Sequence, residues 1–219
     1  MRKYSLDRLQ YISQGATGEE HINNIRMALE GGCNWVQLRM KNFEYSENIA
    51  VAAKVKKLSE TYKATFIVND FVKVAQESDS DGVHLGLMDS AVAEARALLG
   101  ENKIIGGSAN TLSDCLQRVK EGCNYIGLGP YRYTDTKQKL SPILGNEGFR
   151  KIMSTLRQLK IAVPVYGIGG ICKDDVAELM EAGIYGVAVS GEITRANEKE
   201  EMIKMLYHKL NKNYADHLP

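Results

Sequence analysis

Arg39 and Lys41 stand two residues apart, just past an apolar run that ends at Leu38. In extended backbone that spacing turns both side chains the same way, so a planar guanidinium fork and a compact ammonium can meet one phosphate or diphosphate. On an ordinary surface the same pair is only two solvated cations. Asp70 and Asp89 follow the next two apolar runs. Two carboxylates on neighbouring segments suit a hard cation such as Mg2+, which takes one or two of them and completes its shell with substrate phosphate and water. Singly, each Asp also reads as a helix cap. Thr134-Asp135-Thr136-Lys137 gathers two hydroxyls and an ammonium. It can hold another anion or neutralise a leaving group, and it reads equally as a polar turn. Gly169-Gly170 and Ser190-Gly191 are segments of the kind that offer backbone N–H groups to a phosphate.

A repeated unit must position these groups. Gly32-Cys-Asn-Trp-Val-Gln-Leu-Arg39, Gly122-Cys-Asn-Tyr-Ile-Gly-Leu-Gly129, Gly183-Ile-Tyr-Gly-Val-Ala-Val-Ser190 and Asp81-Gly-Val-His-Leu-Gly86 are copies of one phrase, a short buried strand followed at once by polar or glycine residues. Strand-like runs recur at Leu9 to Ser13, Trp35 to Leu38, Thr65 to Val68, Gly82 to Leu85, Lys103 to Gly107, Tyr125 to Leu128, Val163 to Gly167 and Gly186 to Val189. Between them lie stretches of helical period, such as Ile22, Ile25, Ala28 and Leu29, or Val176, Leu179 and Met180. Thr17 with Glu20 reads as a capping box, and Asp174 with Asp175 as the acids of a first turn. Eight strands alternating with helices, and no Gly-x-Gly-x-x-Gly after the first, favour an α/β fold of the closed (β/α)8 TIM-barrel type over an open sheet. The expectation is a single domain over residues 1–219, with the barrel at about 9–212 and a short C-terminal tail. Functional groups then belong on the carboxyl rim. Gln37, Asn69 and Ser108 reach that rim beside the motifs above.

Composition excludes some classes of partner. Lys plus Arg number 28 against 27 Asp plus Glu, a net charge of +1, so no global field recruits nucleic acid or an anionic membrane. No run of apolar residues is long enough to span a bilayer, and Met1 to Asp7 lead into no signal-peptide core. Cys33, Cys115, Cys123 and Cys172 show no C-x-x-C spacing and read as small hydrophobes in a reduced, cytoplasmic protein. His84, flanked by Val83 and Leu85 and facing away from them, reads as a packed or hydrogen-bonded histidine rather than a catalyst. His21, His208 and His217 have no Asp or Ser partner at useful spacing, and Trp35, Tyr125 and Tyr185 read as space-fillers at strand starts.

Taken together, Gln37-x-Arg39-x-Lys41, Asn69-Asp70, Asp81-Gly-Val-His-Leu-Gly-x-x-Asp89, Gly107-Ser108-Ala109, Tyr125-Ile-Gly-Leu-Gly-Pro130, Thr134-x-Thr136-Lys137, Gly167-Ile-Gly-Gly-Ile171 and Val189-Ser190 resemble the thiamine-phosphate synthase family, in order, from about residue 9 to residue 195. The resemblance implies a TIM-barrel transferase that joins a hydroxymethylpyrimidine diphosphate to a thiazole phosphate, carboxylated or not, and releases diphosphate. It implies Gln37, Arg39, Lys41, Asn69, Ser108 and Lys137 around the pyrimidine diphosphate, with Arg39, Lys41 and Lys137 as the catalytic cations. It implies Asp70 and Asp89 as Mg2+ ligands, and Thr134, Thr136, Gly170, Val189 and Ser190 around the thiazole phosphate. It further implies a dissociative step in which diphosphate leaves before the thiazole nitrogen attacks. The partners implied are small phosphorylated substrates, with the protein a monomer or small homo-oligomer. Met40, Asn110, Tyr131-Arg132-Tyr133 and Leu140 depart from the residues usual in the family. Two alternatives on the same scaffold are a thiazole tautomerase, which needs neither metal nor diphosphate, and a non-catalytic phosphate-binding barrel.

Overall fold

The computed structural model describes residues 6–133 and 142–215, with backbone alone for 212–215. The strands are β1 (Leu9–Ile12), β2 (Trp35–Leu38), β3 (Thr65–Asn69), β4 (Gly82–Leu85), β5 (Ile104–Ala109), β6 (Tyr125–Leu128), β7 (Val165–Ile168) and β8 (Gly186–Val189). They form a closed parallel barrel in sequence order, with β8 pairing back onto β1. Around it run α1 (Gly18–Glu30), α2 (Tyr45–Tyr62), α3 (Val72–Glu77), α4 (Val92–Leu99), α5 (Leu112–Lys120), α6 (Gly145–Gln158), α7 (Val176–Ala182), α8 (Gly191–Thr194) and α9 (Lys199–Ala215). The expected α/β barrel is the fold observed.

The strands alternate by side. Val36, Leu38, Val83, Leu85, Ile126, Leu128, Val187 and Val189 point outward into a continuous core shared with the helices. Trp35, Ile67, Ile104, Tyr125 and Tyr166 point inward and fill the barrel's amino end. The Trp35 ring lies 5.0 Å from Tyr125 and from Tyr166, edge to face in both cases, a favoured arrangement of ring quadrupoles. Space for this plug comes from backbone: a Cβ at Gly106 would sit 2.1 Å from the Tyr125 ring. Trp35 and Tyr125 thus fill the interior as expected, whereas Tyr185 is half-buried at the barrel foot and donates its hydroxyl to Leu6 O at 2.8 Å.

Local differences from the sequence expectations have simple causes. β7 begins at Val165 rather than Val163, after Pro164, which has no N–H to donate and contributes only its carbonyl, accepting from Ile126 N at 2.9 Å. At α1, Thr17 accepts the Glu20 N–H at 3.2 Å, but the Glu20 carboxylate takes the Ala16 N–H instead of closing the box. A closed box occurs at α5, between Thr111 and Asp114. Asp174 and Asp175 lie in a 3-10 turn, Lys173–Asp175, whose Asp175 carboxylate accepts the Cys172 N–H at 2.7 Å. All four cysteines are free and three are buried. Among the described residues no helix is long and apolar enough to cross a membrane.

Candidate active site

The carboxyl rim is built from strand ends whose parity decides what faces inward. On β2, Trp35 and Gln37 point into the barrel, and the same alternation carries Arg39 and Lys41 up to its mouth. Arg39 is held through its own backbone, whose N–H donates to Ser13 Oγ at 3.1 Å. Burial pulls its guanidinium down from the ordinary value while Asp70 offsets the effect. It remains a cation at any working pH.

Asp70 sits directly after β3 with φ at +65°, in the left-handed region that non-glycine residues seldom adopt. Its N–H donates to His84 O at 2.8 Å, and the next N–H, from Phe71, returns to Asn69 O at 2.8 Å, closing a three-residue turn. That turn aims the carboxylate across the mouth: Oδ2 lies 3.2 Å from Lys41 Nζ, and the Asp89 carboxyl is its hydrogen-bonding neighbour. Burial first, then Asp89, push the Asp70 carboxyl up to about 6, against the pull of Lys41. Asp89 is itself tethered, its Oδ2 accepting the Gly86 N–H at 2.6 Å. Neither Asp caps a helix, since the N-caps of α3 and α4 are Phe71 and Ala91.

This pair fits a hard divalent cation. It offers two oxygen ligands at the mouth, and among the described residues no group of three or more His, Cys, Asp or Glu could hold a metal unaided. The remaining coordination would fall to phosphate oxygens and water, the pattern Mg2+ favours.

Across the mouth, Ser108 near the end of β5 is buried with its Oγ 3.0 Å from His84 Nε2. Asn69 ends β3 on the inward side. Gly169 and Gly170 have φ of +85° and +73°, and a Cβ on either would strike the β6 loop, at Pro130 Cβ (2.7 Å) or Arg132 Cγ (2.4 Å). That loop is stitched down by Tyr131 N–H on Ile168 O and Arg132 N–H on Gly169 O. Ser190, just before α8, donates its hydroxyl to Ile12 O at 2.6 Å and so does not cap the first N–H groups of α8 with its side chain. Val189 turns its side chain outward into the helical layer, so what it can offer a phosphate is main chain. Thr134, Thr136, Lys137 and Leu140 lie outside the described residues.

Several supporting groups were not expected from the sequence. Arg118 on α5 is buried and donates to Ser108 O at 3.1 Å and Gly86 O at 2.8 Å, tying the Ser108 strand end to the Asp89 loop. His21 does have a serine partner: Ser13 Oγ is 2.7 Å from His21 Nδ1. The two join Gln14, Gly15, Arg39, Lys41 and Phe43 around a pocket of about 300 Å3. Arg195 lays its guanidinium over Gly191, so close that a Cβ there would lie 2.1 Å from Nη1, and adds charge beside Ser190. Arg132, one of the departures, donates to Gly170 O at 3.1 Å and pairs with Asp175 at 2.6 Å. Met40, another, is buried in the core, and Asn110 donates to Gly129 O.

Comparison with known proteins bears on this geometry. The family model described as thiamine monophosphate synthase matches residues 9–193. A thiamine-phosphate synthase of Flavobacterium johnsoniae is 52% identical over 207 residues, covering 94% of this chain and 98% of that protein. One of Phocaeicola vulgatus is 45% identical over 190 residues, covering 87% and 91%. Among solved structures, a thiamine phosphate pyrophosphorylase from Pyrococcus furiosus matches with a TM-score of 0.83 at 32% identity, over 94% of this chain and 96% of that one. With the matched region running from the first barrel strand into α8, and so through every described rim residue from Gln37 to Ser190, the chain belongs to the thiamine-phosphate synthase family, a family of transferases.

Proposed function

We propose that this protein joins 4-amino-2-methyl-5-hydroxymethylpyrimidine diphosphate to 4-methyl-5-hydroxyethylthiazole phosphate, plain or carboxylated, giving thiamine phosphate and diphosphate, and CO2 as well when the thiazole is carboxylated. The observation that carries the reading is the rim arrangement of Arg39 and Lys41 with Asp70 and Asp89, in which Lys41 lies 3.2 Å from Asp70. In this reading Gln37, Asn69 and Ser108 hold the pyrimidine diphosphate, while Gly170, the Val189 main chain and Ser190, with Thr134 and Thr136, hold the thiazole phosphate. Asp70 and Asp89 would hold Mg2+, which when bound supplies positive charge to diphosphate oxygens.

The chain's own residues do the rest. Arg39, Lys41 and Lys137 stabilise charge as the methylene C–O bond breaks and its electron pair leaves with the diphosphate. The thiazole nitrogen then donates its lone pair to that carbon, forming the C–N bond. With the plain thiazole no proton moves in either step, consistent with a rim where His84 is occupied by hydrogen bonds to Tyr125 and Ser108. We place the enzyme in the cytoplasm, a reading supported by four unpaired cysteines.

The test is release of diphosphate from the two substrates, abolished by EDTA and restored by Mg2+. Absence of release refutes the reading, and metal-independent isomerisation of the thiazole phosphate would assign the protein to the sister tautomerase activity. Lys137→Ala is expected to lower turnover far more than melting temperature, because it removes a charge that the proposed step uses. A large fall in melting temperature with full specific activity would contradict its assignment.

A further inference from the structure

Beneath the rim, five buried polar side chains from five strands are joined end to end. Gln37 Nε2 donates to Gln10 Oε1 at 3.0 Å, and Gln10 Nε2 donates to the Tyr125 hydroxyl at 3.4 Å. The Tyr125 hydroxyl lies 2.9 Å from His84 Nδ1, and His84 Nε2 lies 3.0 Å from Ser108 Oγ. Gln10, Gln37 and Tyr125 are each 1% exposed, Ser108 5% and His84 7%. Apolar residues of similar volume could fill this layer without the desolvation that buried polar groups cost. The chain begins at Gln37 and ends at Ser108, two residues assigned to the same substrate.

Its polarity depends on which His84 nitrogen carries the proton, and the assignment that gives every proton of the chain an acceptor is the following. Gln10 turns its carbonyl toward Gln37 and its amide N–H toward Tyr125, so the phenolic oxygen accepts from Gln10. The phenol has one proton to give, and His84 Nδ1 is the acceptor beside it. An imidazole that accepts at Nδ1 carries its proton at Nε2 and donates there. Ser108 Oγ therefore accepts from His84, and the serine's own proton is turned away from the imidazole.

We propose that Gln10, Tyr125 and His84 are positioning residues, a one-way hydrogen-bonded chain that anchors Gln37 and sets the Ser108 hydroxyl as a donor toward the substrate. A diphosphate oxygen or a pyrimidine ring nitrogen, each an acceptor, is what such a hydroxyl serves. The assignment rests on the proposed function for its substrate, but the polarity of the chain is a property of the resting protein.

Two measurements on the full-length protein test it. In substrate-free protein at pH 7.5, long-range 1H–15N NMR should find His84 as the neutral Nε2–H tautomer, and Tyr125→Phe should remove that bias. An Nδ1–H tautomer or an imidazolium overturns the chain. With both substrates and Mg2+, Tyr125→Phe should lower kcat roughly tenfold, the scale of one buried hydrogen bond. The same change should cost clearly less in a Ser108→Ala background than in the wild type, because only the branch through Gln10 to Gln37 is then left to lose. Additive effects overturn the proposal. Should Tyr125→Phe fold poorly, His84→Gln, which keeps an N–H to offer Ser108, should retain more activity than His84→Leu, and equal losses count against it. A wild-type protein that releases no diphosphate would refute the proposed function instead, and the tautomer would still decide the polarity.

Discussion

At Asp70 two demands collide, since a carboxylate suited to a metal is held in a strained turn, partly out of water and beside a second carboxylate. Positive-φ strain of this kind gathers at functional sites, where surrounding structure holds it in place. Its folded-state pKa, about 6, lies above the ordinary 3.8, so the folded protein binds this proton more tightly than the unfolded chain does. The resulting stability is present at low pH and is lost as pH rises through about 6. Asp70→Asn is therefore expected, in chelator at pH 7.5, to melt at a higher temperature than wild type, with the gap closing as pH falls below 6. Adding Mg2+ is expected to raise the melting temperature of the wild type and to leave that of the variant unchanged. Thermal melts across pH 4.5–7.5, with and without Mg2+, check both, and a lower midpoint for the variant at pH 7.5 would contradict the first.

Among elements, the β6 and β7 loops behave as one. Tyr131 and Arg132 bond to the backbone at Ile168 and Gly169, Arg132 reaches Gly170 O and Asp175, and the Tyr131 hydroxyl meets Glu178 on α7. Gly170 is the contact point, with φ of +73° and Arg132 Cγ 2.4 Å from any added Cβ. Gly170→Ala should cost about 1–2 kcal/mol for the left-handed conformation and push Arg132 aside. Its KM for the thiazole phosphate should rise more than its KM for the pyrimidine diphosphate. Equal KM changes in steady-state kinetics would argue against a thiazole-side role.

The strands were legible because a parallel strand buried on both faces leaves a compact apolar signature. Trp35–Leu38, Gly82–Leu85, Tyr125–Leu128 and Gly186–Val189 stand where the repeated phrase placed them. Arg39, Asp70, Gly169 and Ser190 were legible for a related reason, as each follows its strand directly. What escaped was contact between segments far apart in the chain. Arg118 reaches 10 residues back to Ser108 and 32 back to Gly86, and Ser13 meets His21 across the first loop. Nothing local in an arginine on α5, or in a serine after β1, announces such partners.

Over the whole molecule, two cores divide the labour. The outer one welds helices to strands, while the inner one is the small aromatic plug around Trp35, which is fully buried against Tyr125 and Tyr166. Trp35→Ala opens a cavity that rigid strands cannot close, and should cost about 3–5 kcal/mol in chemical denaturation. A loss below about 1 kcal/mol would mean the barrel collapses inward after all. The same plug supports Tyr125, whose hydroxyl stands in the polar layer above it, so the variant should depress turnover in whatever fraction remains folded.

That plug also dictates traffic. A barrel stoppered at its amino end is a cup open at its carboxyl rim, and under the proposed reaction two substrates and two products would share that rim. Whatever enters first lies deepest, and whatever is made deepest waits for the shallower partner to clear. Under the proposed reaction, two substrates seated one above the other would turn the order of arrival into a matter of plumbing.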